Sequence, residues 1–465
     1  MKINPNIFKA YDIRGIYPEE INENNFSKII DAIYLFFKSK IKRDKLQIVL
    51  GRDMRLSSPS LYTIAKERLL DLGIDVYDVN LVSTPTFYFA VLNLKADAGI
   101  QISASHNPPQ YNGIKFVIRE NNKIIKIGKT TGMDEVRENA LKENQSLNLK
   151  NRGQLKKIKD ILKKEVAAAF NIFEIKNIKR LKIVADPANA MGALYLDELS
   201  SRIPVELIKM NFELDGRFPA HEPNPLIFDN LKDLQKKVLK EKADLGIAPD
   251  GDGDRVFFVD ENGKVIWSSL ISSLIASKLL QKYKKDKIGI DVRYLFNIRS
   301  AVEKAGGKVI IGPVGHALIS DLMIKNDILF TGESSGHFFF RQFGYAESAV
   351  STILLVLDEI SKKNQPISSI LKEFKVAFES GERNFVLENK SPKEVMEKIA
   401  LEYKDNKISW LDGLSVETED TRFNIRASNT EPLLRLNVES LSHKKMLRLF
   451  DKITNKILQM GAKIK

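Results

Sequence analysis

Leu46-Gln47-Ile48-Val49-Leu50-Gly51-Arg52-Asp53 is a short apolar run that stops in a polar turn, and the design returns twice along the chain. Leu181 to Ala185 runs into Asp186-Pro187-Ala188-Asn189, and Ile288 to Ile290 runs into Asp291-Val292-Arg293. Apolar runs this short, bounded by turn residues, are expected to be buried strands. The longer amphipathic stretches between them complete the pattern of parallel sheets covered by helices on both faces. Such sheets place ligands beyond the carboxyl ends of their strands, so the polar turns are candidate site segments. The blocks share no sequence identity, and the repeat rests on patterning alone.

Outward from these blocks, the chain has 465 residues, more than one hydrophobic core supports, and three or four domains are expected. The polar, lysine-rich stretch from Lys142 to Lys164 sets a first boundary near residue 150, giving domains over 1–150 and 151–255, the latter closing after an Asp-rich loop. Lys362-Lys363-Asn364-Gln365-Pro366 separates two apolar segments and sets a third domain over 256–366. Alternation at Arg422 to Ile425 and Leu433 to Val438, with a closing helix near Lys444 to Met460, predicts a smaller α+β domain over 367–465.

Hydrophobic residues make up 43% and charged residues 29%, the balance of a folded globular chain and not of a disordered one. The absence of cysteine excludes disulfides, thiolate zinc sites and cysteine nucleophiles, and fits a reducing cytosol. The start Met1-Lys2-Ile3-Asn4-Pro5 and the lack of a membrane-length apolar run lead to the expectation of a cytoplasmic protein with no membrane partner. A net charge of +13 raises nucleic-acid binding, yet the basic residues are spread along the chain and interleaved with acids. The one denser run, Lys156 to Lys164, is expected to be a solvated helix face, so no nucleic-acid partner is expected. A general positive field favours an anionic small substrate.

Four segments carry chemistry. In Asp250-Gly251-Asp252-Gly253-Asp254-Arg255 three short carboxylates alternate with glycines that allow tight turns, so their oxygens can converge on one hard cation. Without His or Cys donors, Mg²⁺ or Ca²⁺ is favoured over zinc, and a site open to phosphate favours Mg²⁺. Asp250, Asp252, Asp254 and Glu261 also fall at positions 1, 3, 5 and 12 of a calcium loop, but Arg255 stands where that loop needs glycine, and the flanks read as strands. A plain solvated acidic turn would carry the same residues, and the loop is expected at the surface.

Ser103-Ala104-Ser105-His106-Asn107-Pro108 follows the strand-like Ala98 to Ile102, which leads to the expectation of an exposed, orientable Ser105; a turn-forming serine fits the same position. Lys115, on the next apolar segment, is a candidate proton-transfer or phosphate partner. Gly332-Glu333-Ser334-Ser335-Gly336 matches a serine nucleophile elbow, but besides the adjacent His337 only His443 follows, so no convincing triad forms. Glu333, Ser335 and His337 instead cluster polar groups suited to sugar hydroxyls, or form a bland polar loop. Arg426-Ala427-Ser428-Asn429-Thr430-Glu431-Pro432 joins two strands and offers a guanidinium, two hydroxyls and an amide, which suits a phosphate or a capped turn.

In this order, together with Phe8-Lys9-Ala10-Tyr11-Asp12-Ile13-Arg14-Gly15, Asp215-Gly216-Arg217-Phe218-Pro219 and Gly315-His316, these segments resemble the α-D-phosphohexomutases over nearly the whole chain, nearest to their phosphomannomutase/phosphoglucomutase branch. The resemblance implies three similar α/β domains and a carboxy-terminal domain around a central cleft. It implies that Ser105 carries a phosphoryl group, that Ser105, Asp250, Asp252 and Asp254 form the Mg²⁺ set, and that Arg14, Lys115, Arg255 and His316 assist transfer. Tyr11, Arg293, Glu333, Ser335 and His337 would contact substrate, and Arg426, Ser428, Asn429 and Thr430 would hold its non-reacting phosphate. The implied reaction interconverts hexose 6-phosphate and hexose 1-phosphate, of mannose or glucose, through a 1,6-bisphosphate that also acts as activator, in a monomer or dimer. Phosphoglucosamine mutase and a non-catalytic sugar-phosphate-binding protein are the alternatives. Pro249, Ala190 and Ser334 depart from the family's usual aromatic, glycine and methionine, which puts loop geometry and sugar preference in question.

Overall fold

The computed structural model describes residues 3–142, 147, 151–388, 390–428 and 433–465. The chain forms two compact units, Met1–Ile266 with Ser335–Ile370, and Trp267–Ser334 with Leu371–Lys465.

In the first unit the strand Gln47–Arg52 lies parallel between Asp75–Leu81 and Ala98–Ile102. Tyr111–Glu120 runs antiparallel to Ala98–Ile102 and carries Ile13–Ile16 on its other edge. Strand periodicity sends alternate residues to opposite faces. Ile48, Leu50, Ile100 and Ile102 therefore join a core with Phe26, Ile29 and Phe37 of the helix Glu23–Lys40 and Leu61, Ala65 and Leu69 of the helix Ser58–Asp71. On the opposite face Gly99 meets the helix Thr84–Asn93 so closely that a Cβ there would lie 2.6 Å from Val91 Cγ2. Helices thus cover both faces. Each fully buried Ile, Leu or Phe adds about 1.5–3 kcal/mol, enough to fix the strand register by its apolar side.

A second sheet in this unit repeats the plan. Leu181–Ala185 lies parallel between Val205–Lys209 and Leu245–Pro249, and Val256–Asp260 returns antiparallel to the last. In the second unit Lys287–Asp291 lies parallel between Lys308–Gly312 and Phe330–Gly332. The carboxy-terminal sheet is antiparallel, ordered Lys407–Ser409, Leu414–Glu417, Thr421–Ala427, Leu434–Ser440, Phe378–Leu387 and Ala462–Ile464. Val395 and Ile399 of the helix Pro392–Glu402 and Met446, Phe450 and Ile453 of the helix His443–Gln459 close its core.

The three blocks are one structural repeat. Asp53, Asp186 and Asp291 each end the middle strand and each accept a hydrogen bond from the backbone N–H two residues on, from Arg55 at 3.0 Å, Ala188 at 3.0 Å and Arg293 at 2.8 Å. A side-chain turn of this kind needs only the short Asp carboxylate. The parallel neighbour of each middle strand, Ala98–Ile102, Leu245–Pro249 or Phe330–Gly332, then leads into the Ser105, Asp250 or Glu333 loop.

The Lys156 to Lys164 run differs from expectation. Leu155–Lys157 is an exposed strand paired with Val76–Asp78, and helix begins only at Ile161. Long lysine side chains are suited to a solvated sheet edge, so the run is solvated but half of it is not helical. No helix among the described residues is long and apolar enough to cross a membrane.

Candidate active site

Ser105 and the Asp loop are brought together in the first unit although 145 positions separate Ser105 from Asp250. Ser105 Oγ donates to Asp250 Oδ2 at 3.3 Å and lies 3.2 Å from His106 Nδ1. Ser105 is not exposed as expected but 3% accessible, because Gly251 packs on its carbonyl; a Cβ at Gly251 would lie 2.4 Å from Ser105 O. The Asp loop is likewise not at the surface, since Asp250, Asp252 and Asp254 are all buried.

Lys115, on the strand Tyr111–Glu120, points its Nζ at both Asp252 Oδ2, 2.5 Å, and Asp254 Oδ2, 2.6 Å. Burial opposes its charge, but the two carboxylates outweigh burial and hold the ammonium well above its ordinary pKa. Asp252 Oδ2 also accepts from Thr84 Oγ1 at 2.6 Å. Burial, reinforced by Asp254 and Asp252, pushes the Asp250 carboxyl up to about 8. Asp254 goes the other way: burial raises it, and Lys115 and His337 together more than offset that and lower it. Burial, with Arg255 and Arg14 adding, keeps His106 well below the usual imidazole range and therefore neutral.

The remaining first-unit candidates surround this cluster. Arg14, on Ile13–Ile16, donates to Asn107 Oδ1 and pairs with Asp12. Arg255 and His337 face each other across an isolated antiparallel bridge, and His337 Nε2 lies 3.2 Å from both Arg255 Nε and Asp254 Oδ1. Ser335 Oγ is 3.1 Å from His337 Nδ1. Tyr11 is half-buried just before the Arg14 strand.

The second unit holds the other candidates. Arg293 donates to both oxygens of Asp291 at 3.0 Å, and its Nη2 lies 3.3 Å from Glu333 Oε1. Glu333 Oε1 also accepts from Gly315 N–H, immediately before the helix His316–Asn326. Arg426, 2% exposed on Thr421–Ala427, donates to Glu382 Oε2 at 3.1 Å, and Arg435 Nη1 lies 3.1 Å from the other oxygen of that carboxylate. Ser428 N–H donates to Leu433 O. Asn429 and Thr430 lie outside the described residues.

Three decoys resolve. The strands Leu245–Pro249 and Val256–Asp260 form a hairpin around the Asp loop, and Glu261 is engaged by Ser368, so the calcium-loop pattern is not a helix-loop-helix site. Ser334 N–H donates to Asp291, and His443 packs against Phe378. Position 190 needs no glycine, because the left-handed residues are Ala188 and Asn189. Sequence reasoning gave no role to His106, Asn107 or Thr84, which touch Ser105, Arg14 and Asp252; the first two stand in the quoted serine motif, and Thr84 left no signal.

The donor set suits a hard divalent cation. One oxygen from each of Asp250, Asp252 and Asp254 lies within 4.8 Å of the others, all are buried, and among the described residues Asp252 Oδ1 finds no hydrogen-bond partner. The three aspartates offer carboxylate oxygens, the donor type a hard divalent cation takes.

Family models described as phosphoglucomutase/phosphomannomutase α/β/α domains I, II and III match residues 5–143, 161–263 and 268–377, and the C-terminal domain model matches 375–456. The chain belongs to the phosphoglucomutase/phosphomannomutase family. A phosphomannomutase of Vibrio cholerae is 40% identical over 93% of this chain and 94% of its own, and one from Methanocaldococcus jannaschii is 36% identical over 98% and 99%. A crystal structure of a phosphoglucomutase/phosphomannomutase family protein from Burkholderia thailandensis matches with a TM-score of 0.88 at 28% identity, covering 99% of both chains. As a family member, the protein is a hexose phosphate mutase, an isomerase of carbohydrate metabolism that works by phosphoryl transfer. Its four domains are the three α/β domains and the antiparallel C-terminal domain described above.

Proposed function

We propose that this mutase interconverts the 6- and 1-phosphates of mannose and glucose with phospho-Ser105 as the carrier. The observation that carries the reading is the buried contact of Ser105 Oγ with Asp250, inside a cluster where Lys115 bridges Asp252 and Asp254. A nucleophile and its charge-balancing groups are then in one water-poor place.

In the first step the P–Oγ bond of phospho-Ser105 breaks as a bond forms from phosphorus to a free hydroxyl oxygen of the hexose phosphate. The proton of that hydroxyl ends in net on Ser105 Oγ, and the product is a hexose 1,6-bisphosphate. The bisphosphate then returns its other phosphoryl group: a bond forms from that phosphorus to Ser105 Oγ as its bond to the sugar oxygen breaks, and the proton that leaves Oγ ends in net on the sugar oxygen. Neutral His106, with Nδ1 3.2 Å from Ser105 Oγ, is placed to take that proton. Lys115, Arg14 and Arg255 supply fixed positive charge toward the oxygens of the transferring group. Asp250, Asp252 and Asp254 would hold Mg²⁺, which when bound offsets the charge on the phosphoryl group.

Arg426 and Ser428, with Asn429 and Thr430, would take the phosphate that is not being transferred, while Tyr11, Arg293, Glu333, Ser335 and His337 would contact the substrate and His316 would assist transfer. Intact-mass measurement on the enzyme as purified tests the carrier: one phosphate on the wild type and none on Ser105→Ala is expected. An unphosphorylated wild type that still turns over with glucose 1,6-bisphosphate present, and never gains mass, sinks the reading.

A further inference from the structure

Ser105 sits at φ +51°, a left-handed conformation that is strained for an L residue. Strained positions of this kind persist only where their surroundings over-determine them. The surroundings of the serine turn converge on one buried guanidinium.

Arg55 is 0% exposed, and its terminal N–H groups all go to main-chain carbonyls of the serine segment. Nη2 donates to Ser105 O at 2.8 Å and Asn107 O at 2.6 Å, and Nη1 donates to Pro108 O at 2.8 Å and Tyr111 O at 3.0 Å. Asp53 holds the other end, with Oδ2 3.2 Å from Arg55 Nε. Phe218 covers the guanidinium face, its ring centroid 5.2 Å from Cζ. The Asp215-Gly216-Arg217-Phe218-Pro219 turn comes so close that a Cβ on Gly216 would lie 2.7 Å from Arg55 Cα. Phe218 is itself left-handed at φ +52°, and Asp215 caps the turn by accepting the Arg217 N–H at 2.9 Å.

We propose that Arg55, clamped between Asp53 and Phe218, is a positioning residue for phosphoryl transfer, and that the Asp215–Pro219 turn acts on the reaction through it. The inference rests on the reading of Ser105 as carrier. The carbonyl and side chain of Ser105 hang from the same Cα, so pinning the carbonyl on Arg55 at a fixed φ also fixes the Cα–Cβ direction from which Oγ reaches Asp250. Four acceptors spread along seven residues are matched by a planar fork with two ends. A lysine keeps the charge but donates from a single point, so it loses the geometry and retains the electrostatics. A displacement of the reacting group of about 1 Å is worth roughly 10²-fold in rate.

The test uses the full chain as Arg55→Lys, Phe218→Leu and the double variant. Measured are kcat and KM in a coupled assay, the single-turnover rate at which Ser105 gains phosphate from glucose 1,6-bisphosphate by intact mass, and the thermal midpoint. Arg55→Lys is expected to slow both kcat and Ser105 phosphorylation about 100-fold, with KM within about threefold. Phe218→Leu should slow them about tenfold, and the double variant should be little worse than Arg55→Lys because both act through one guanidinium. A folded Arg55→Lys enzyme with wild-type kcat and phosphorylation rate overturns the proposal, as does a lowered thermal midpoint with kcat per folded molecule unchanged. If Arg55→Lys does not fold, Phe218→Leu decides by the same two criteria. A wild type that never takes phosphate on Ser105 overturns the carrier reading and this inference with it. A wild type that takes it, beside an Arg55→Lys that takes it equally fast, overturns the inference alone.

Discussion

In the first unit the buried carboxylates of Asp252 and Asp254 share one lysine, Lys115, with Asp250 buried beside them, whereas in the second unit one carboxylate, Glu382, is shared by two arginines, Arg426 and Arg435. The first arrangement gathers acidic side chains and the second basic ones. An uncompensated buried charge is expensive, so each imbalance points to a counter-ion of definite sign. The negative cluster suits a divalent cation, and the arginine pair suits a phosphate. Arg293 shows what a satisfied arginine looks like, held by both oxygens of Asp291 and by Glu333. Among the described residues Arg426 pairs with Glu382, and its buried Nε makes no hydrogen bond.

The division of labour can be broken at its strongest point. Ser105→Ala should lower interconversion of hexose 1- and 6-phosphates by about 10⁴-fold or more, since loss of a covalent carrier removes the pathway itself. Near-normal turnover in a coupled assay would place the chemistry elsewhere. Asp252→Asn should lower turnover about 10²–10³-fold and move the Mg²⁺ titration to higher concentration. An unchanged titration and rate would show that Asp252 serves only Lys115. Arg426→Ala probes the other unit: with charge-assisted hydrogen bonds worth about 1.5–3 kcal/mol each, kcat/KM should fall roughly 10- to 100-fold. Part of the loss should appear in kcat, because binding energy from a remote phosphate orients the reacting end. If Mg²⁺ dependence changed in Arg426→Ala and not in Asp252→Asn, the assignment of cation and phosphate to the two units would be reversed.

How much of this was legible follows from where each partner sits in the chain. The strands Leu181–Ala185 and Ala98–Ile102 were read to the residue because their apolar runs are bounded by local turn signals. The repeat was legible as pattern and not as identity, since what the blocks share is a backbone turn capped by Asp53, Asp186 and Asp291. The acidic triad was legible because its carboxylates alternate within five residues. Burial was not. A Pro-stopped serine loop looks solvated in sequence, and its cover comes from Gly251 and Arg55, which no local pattern ties to Ser105. Lys115 was legible as a charge, but its bridging of Asp252 and Asp254 depends on contacts 137 and 139 positions away. The Lys156 run was misread in part because lysine is compatible with a helix surface and with a sheet edge alike.

The smallest expected effect concerns two carboxyls outside both sites, and it asks whether the units differ in stability as they do in charge. Glu165 in the first unit is buried on the helix Ile161–Phe173, where burial pushes its carboxyl up to about 7 against a hydrogen bond from Thr86. Glu379 in the second unit is pushed up to about 8, by burial first and by Glu439, against bonds from Ser269 and Asn297. For both, the folded state holds the proton more tightly than the unfolded chain. Below pH about 4.5 both states are protonated and nothing is lost. As pH rises from there to the folded value, the unfolded chain releases a proton that the fold retains, so stability falls, and above the folded value the loss is constant. For Glu165 the full loss is roughly 3 kcal/mol. Glu165→Gln removes the titration, so hydrogen exchange of the helix Ile161–Phe173 should show a gain in stability at pH 8 and little or none at pH 5, with kcat unchanged. Glu379→Gln should do the same for the strand Phe378–Leu387 of the second unit, with the gain still growing between pH 7 and 8. A gain that is equal at pH 5 and pH 8 would show that neither carboxyl holds its proton in the fold, and a pH-dependent gain in one unit alone would confine buried-carboxyl strain to that unit.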